Sequence, residues 1–160
     1  MAGERDASIV DPLLERFRES VERRVPHNTA LGLRFVGLEG SRISVELPYD
    51  ERLVGNPETG VLHGGAITAL MDATCGTAVF AKILQPVPIA TLDLRIDYLA
   101  PARPGLAVIA RAECVKATHS IAFVRCEAFH REEPAELIAL ANGTFMIFRS
   151  KKFKSERGPI

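Results

Sequence analysis

The chain has 160 residues, 47% hydrophobic and 25% charged, and its 20 basic residues balance 20 acidic ones. That length supports one domain with a real core. The zero net charge argues against a general binder of nucleic acid or of anionic membranes, which would carry a basic excess.

Near the N-terminus, Asp11-Pro12 reads as a helix cap followed by proline at the first helical position. Val10, Leu13, Leu14, Phe17, Val21 and Val25 then recur at helical spacing, which predicts an amphipathic helix ended by Pro26. Residues 1–26 are therefore read as a helical extension. Residues 31–49 read as a β-hairpin, in which Ile43, Val45 and Leu47 alternate with polar positions and Gly40 lies in the turn. A polar loop over residues 50–60 leads to a long apolar helix that stops before Pro86.

Beyond that helix the period changes from 3.6 to 2. Leu92, Leu94, Ile96 and Tyr98 alternate with Thr91, Asp93, Arg95 and Asp97, as in a half-buried strand. Strand-like runs follow at 106–117, 121–130 and 135–148. The tail at 150–160 loses periodicity and is expected to be a flexible basic segment. Four consecutive hairpin-connected strands and a helix apolar all round imply an α+β fold, with a curved antiparallel sheet wrapped around one central helix.

The central segment holds the chemistry. It opens on His63-Gly64-Gly65 and runs at helical length with a single carboxylate, Asp72, nine residues after His63; the next cation is Lys82. If the helix is buried, Asp72 sits there at a cost unless it is paired or hydrogen-bonded. A membrane span over 64–81 is long enough. It is opposed by the mid-segment acid, worth roughly 2.5 to 3.5 kcal/mol against insertion, and by three threonines. At the helix start, the Gly64 and Gly65 N–H groups have no intrahelical partner, and the absent side chains admit a carbonyl. That arrangement suits an oxyanion hole; two glycines would equally suit a tight loop-to-helix entry. Gly64 and Asp72 lie about 12 Å apart along the helix, too far for one subunit to aim both at one carbonyl.

With His63-Gly64-Gly65, Asp72 and the run Tyr98-Leu99-Ala100-Pro101-Ala102-Arg103-Pro104-Gly105, the chain resembles the hotdog-fold acyl-CoA thioesterases. The branch it resembles is the phenylacetic-acid-degradation type within the 4-hydroxybenzoyl-CoA thioesterase superfamily. The resemblance covers residues 27–148 and places a hotdog domain at 27–149. It implies Asp72 as nucleophile or general base, and a site shared between subunits. It also implies that Asn56 and His63 hold the loop and orient the thioester or the water, and that the Thr91 hydroxyl binds the attacking water. His63 would serve equally well as a structural cap, and Thr91 as an ordinary strand residue. Arg103, Lys116 and His119 are candidates for the CoA moiety, although this chain lacks the Gly-Arg pair often found near the corresponding turn.

The expected activity is hydrolysis of an acyl-CoA thioester, without cofactor or metal, in a homodimer that assembles further into a homotetramer. A non-catalytic acyl-CoA-binding module of the same fold is the alternative, and a hotdog dehydratase ranks below both. No zinc-ligand spacing and no Gly-x-Ser-x-Gly elbow is present in the sequence. Cys75, Cys114 and Cys126 show no redox spacing and read as small core residues. The opening MAGERDASIV lacks the pattern of a signal peptide, so a cytoplasmic location is expected, with no nucleic acid or membrane as partner.

Overall fold

The computed structural model describes residues 11–149, so the expected basic tail and the first part of the N-terminal extension lie outside the described residues. Asp11 caps α1 (Pro12–Glu19) by accepting the Leu13 N–H at 2.9 Å, with Pro12 in the first turn. The helix does not continue unbroken to Pro26. Ser20–Arg24 forms a π-helical turn, and Pro26 starts a second helix, α2 (Pro26–Leu31), rather than ending the first. The cause is local. Proline lacks an N–H that the first helical position would leave unbonded, and it favours the extended backbone that Val25 adopts at φ −107° and ψ 107°. The buried Phe17 and Val21 tie this unit down, with the Phe17 ring 6.0 Å from that of Phe35. Glu22 accepts the Phe35 N–H at 3.0 Å.

The hairpin forms as its alternation predicts, with β1 (Arg34–Glu39) and β2 (Arg42–Leu47) joined through Gly40 at φ 61°. The loop that follows is more ordered than its polar composition suggests. It contains a 3-10 turn (Glu51–Leu53) and a two-stranded ribbon of β3 (Val54–Asn56) and β4 (Val61–Leu62). Next come the central helix α3 (Gly64–Ile83) and the strands β5 (Ile89–Tyr98), β6 (Val108–Ala117), β7 (Ile121–His130) and β8 (Glu133–Ile147).

The main sheet is antiparallel throughout, in the order β1-β2-β6-β7-β8-β5. This corrects the expectation of four successive hairpins. β5 does not lie beside β6; it pairs with β8, from Ile89 opposite Ile147 to Tyr98 opposite Ala139. The segment 99–107 is too long for a tight turn, and Pro101 and Pro104 have no N–H to give a ladder. The chain instead crosses the ends of the neighbouring strands. Leu99 and Ala100 donate to the Ile138 carbonyl, and Arg103 N–H donates to His130 Nε2 at 2.9 Å.

The sheet curves around α3, and Ile67, Leu70, Met71, Thr74, Cys75, Ala78 and Val79 are buried in the core. Thr74 is satisfied by donating to the Leu70 carbonyl at 2.7 Å. α3 is long and apolar enough to cross a membrane, but it is the core helix of this sheet. It is not covered on all sides, however. Gly65, Thr68, Asp72 and Gly76 form one open stripe of exposed and half-buried positions at helical spacing.

Candidate active site

His63 ends the ribbon and caps α3. Its backbone is extended, and its N–H donates to the Leu53 carbonyl at 2.8 Å. Its Nδ1 accepts the Gly65 N–H at 2.8 Å, which leaves Nε2 as the ring's donor. Gly55 braces the residue from below, since a Cβ there would stand 2.8 Å from His63 Cα. Asn56, next along the ribbon, uses its side-chain oxygen to accept the Glu58 N–H at 3.0 Å, and its carbonyl accepts from Thr59 and Gly60. In this protomer Asn56 therefore shapes the loop beside His63.

The helix start differs from the expected pair of free amides. The Gly65 N–H belongs to His63, because a capping side chain reaches the second helical N–H. Ala66 N–H donates to the His63 carbonyl at 3.0 Å. The Gly64 N–H has no acceptor among the described residues. On its carbonyl side Gly64 accepts from Tyr98 Oη at 2.7 Å and Thr68 Oγ1 at 3.1 Å, and the two hydroxyls stand 2.8 Å apart. A Cβ on Gly64 would lie 3.3 Å from Tyr98 Oη. Tyr98 and Thr68 are thus part of the helix entrance, which the sequence reading did not anticipate. The signal was present: Thr68 lies one turn after Gly64, and Tyr98 closes the alternating strand.

Asp72 is half-buried rather than buried, on the open stripe of α3. Thr91, near the start of β5, donates its hydroxyl proton to Asp72 Oδ1 at 2.8 Å. The acid therefore has one specific donor, and its environment is left partly open to solvent. Gly65 and Asp72 share this helix face, with about two turns between them. Among the described residues, no group of three or more His, Cys, Asp or Glu is placed to hold a metal ion.

The three candidates for CoA do not converge within one protomer. Arg103 lies before β6, and its guanidinium is paired with Glu133 at 2.8 Å. Lys116 and His119 lie at the far end of the β6–β7 hairpin, where His119 Nδ1 is 3.1 Å from Ser120 Oγ. From Val108 to Lys116 the strand rises about 26 Å. The missed buried residue His130 holds the turn that carries Arg103, by accepting from the Arg103 N–H and bonding the Ala107 carbonyl at 2.8 Å.

With this geometry in place, comparison with known proteins gives the family. Residues 59–136 match the Thioesterase superfamily. A solved structure from Pseudomonas aeruginosa is 41% identical, with a TM-score of 0.75, over 84% of this chain and 98% of that one. The chain belongs to the thioesterase superfamily. The medium/long-chain acyl-CoA thioesterase YigI of Escherichia coli K12 is 29% identical over 136 residues, covering 77% of this chain and 86% of its own length. A variant of the phenylacetic acid degradation protein PaaI from Thermus thermophilus is 28% identical, with a TM-score of 0.66, over 78% of this chain and 99% of that one. Membership places the chain among thioester hydrolases with the hotdog fold, as its motifs implied. The matched segment begins within the ribbon loop and contains His63, Gly64, Asp72 and Thr91.

Proposed function

We propose that this thioesterase hydrolyses acyl-CoA, with Asp72 as its reacting acid in a site completed by a second copy of the chain. The observation that carries the reading is the Thr91–Asp72 hydrogen bond on the open stripe of α3. A hydroxyl donated to one carboxylate oxygen fixes the orientation of the carboxylate and leaves the second oxygen free. That oxygen either attacks the thioester carbonyl or takes a proton from a water that does so. The Thr91 oxygen keeps lone pairs for the same water.

As the carbonyl becomes tetrahedral, its oxygen gains negative charge, which the Gly64 N–H and the positive end of α3 suit. The carbon–sulfur bond then breaks, CoA leaves as its thiolate and is protonated, and water supplies the oxygen of the free acid. His63 sets the entrance by holding the first turn, and its Nε2–H remains available as a donor. Asn56 supports it through the ribbon. In an antiparallel pair of subunits, Arg103 from one and Lys116 and His119 from the other come to the same end of the assembly, as a CoA phosphate site requires. Three buried free cysteines fit the reducing cytoplasm.

The direct test is incubation with a panel of acyl-CoAs while a thiol-trapping reagent reports released CoA. Saturable turnover is expected. Tight acyl-CoA binding without any thiol release would sink the enzymatic reading in favour of the binding module.

A further inference from the structure

Neither Gly64 nor Gly65 needs glycine for its backbone, since the positive-φ glycines among the described residues are Gly32, Gly40, Gly60 and Gly105. The constraint is space. A Cβ on Gly64 would lie 3.3 Å from Tyr98 Oη, and one on Gly65 would lie 2.9 Å from His63 Nδ1. The two glycines thus make room for a hydroxyl on one side and an imidazole on the other. These groups hold opposite ends of a single peptide unit. Tyr98 Oη donates to its carbonyl, on Gly64, at 2.7 Å, and its N–H, on Gly65, donates to His63 Nδ1 at 2.8 Å.

We propose that Tyr98 and Thr68 are positioning residues that act on the thioester through His63, by a one-way chain of hydrogen bonds. The chain runs from Thr68 Oγ1 to Tyr98 Oη, across the Gly64–Gly65 peptide, to the imidazole. The inference rests on the thioesterase reading given above and adds these two residues to it.

A count of protons fixes the direction of each link. Thr68 Oγ1 is 2.8 Å from Tyr98 Oη and 3.1 Å from the Gly64 carbonyl, so two hydroxyl protons face three close contacts. A helical carbonyl also faces the N–H four residues on, which leaves Gly64 one lone pair for a hydroxyl. Tyr98, the nearer at 2.7 Å, takes it, and Thr68 donates to Tyr98. A proton shared with the carbonyl oxygen draws electron density out of the peptide nitrogen, so the Gly65 N–H becomes a stronger donor. That N–H draws density from the ring through Nδ1, and the Nε2–H that His63 offers to the thioester is strengthened in turn. Every link polarises the next in the same sense.

The test removes single hydroxyls from the full-length protein. Tyr98→Phe keeps the ring, Thr68→Val keeps the branch, and Thr68→Ser restores the proton. By NMR of the isotope-labelled protein, Tyr98→Phe should move the Gly65 amide proton upfield and the His63 Nδ1 nitrogen downfield, as each hydrogen bond weakens. Strengthening of about 10–30% per bond implies that Tyr98→Phe loses roughly three- to tenfold in kcat on acyl-CoA, with KM little changed. Thr68→Val, one link further out, should lose less, and Thr68→Ser should match the wild type. His63→Asn keeps a capping side chain for Gly65 but ends the chain. In that background Tyr98→Phe should lower kcat by no more than about twofold. An equal loss in both backgrounds would make the hydroxyl a brace of the turn and overturn the proposal. Unmoved Gly65 and His63 signals in Tyr98→Phe would overturn it as well. A wild type that releases no thiol from any acyl-CoA, while those signals still answer to Tyr98→Phe, fails the thioesterase reading and leaves the chain of hydrogen bonds standing.

Discussion

Asp72 and Thr91 form a pair whose two members make different predictions. Asp72→Asn keeps the shape and still accepts the Thr91 hydroxyl, so the fold and substrate binding should persist. It removes the nucleophile or base, and kcat should fall by about 10² to 10⁴ with KM little changed. Steady-state kinetics on the purified variant check this, and near wild-type kcat would remove Asp72 from the chemistry. Thr91→Val is close in shape but leaves Asp72 Oδ1 without its donor at 2.8 Å. The loss of one hydrogen bond to a charged group, about 1.5 to 3 kcal/mol, should slow kcat some tenfold or more if that bond organises the reacting state. Unchanged kinetics with unchanged stability would make Thr91 an ordinary strand residue. The buried cysteines predict an absence of reaction: burial pushes the Cys114 thiol up, and the Cys75 hydrogen bond and burial push the Cys126 thiol well up. Both stay protonated at neutral pH, so a thiol reagent should label the native protein slowly and the unfolded protein fully. Fast native labelling of Cys114 or Cys126 would contradict their placement in the core.

At the scale of elements, the start of α3 joins stability to function. His63 holds the first turn through Gly65, and Tyr98 and Thr68 hold it through Gly64. His63→Ala should cost about 1 kcal/mol by denaturant titration, the usual cost of a lost cap. His63→Asn supplies another capping side chain and should recover that stability. If it also recovers activity, the imidazole is only a cap; if stability returns without activity, the ring takes part in the reaction. The hairpin β1–β2 and the strand periods were legible because alternation and turn chemistry are local. The motif from His63 to Asp72 was legible for the same reason, with both residues on one continuous helix. The place of β5 was not legible, since pairing with β8 rather than β6 is decided by where the proline-containing crossover can bond, at Ile138 and His130. The Pro26 boundary was misread because proline both stops and starts helices, and only the π-turn before it decides which. The depth of Asp72 was overestimated because a helix apolar all round does not say whether its last face is covered by this chain or by another.

That uncovered face is the main argument at the scale of the whole molecule. One stripe of α3, from Gly65 to Gly76, stays open, and beside it β5 presents a 10-residue edge strand paired on one side only, with Leu92 54% exposed. A long unblocked edge invites pairing with another chain. A two-fold dimer pairing β5 edges and setting two α3 helices antiparallel would cover both features at once and bring one subunit's Gly64 amide toward the other's Asp72. Within one subunit these groups lie about 12 Å apart along the helix axis. The prediction is tested by complementation. Asp72→Asn removes the acid from one protein. Gly64→Leu blocks the helix entrance in the other, since even a Cβ there meets Tyr98 Oη at 3.3 Å. Each variant alone should be inactive. After subunit exchange, a mixed dimer holds one site with both parts intact and one with both impaired, so activity should return to as much as about half per mixed dimer by symmetry. Exchange is checked separately by mass, using differently tagged chains. Proven exchange without recovered activity, or an active wild-type monomer in sedimentation, would show that each subunit completes its own site.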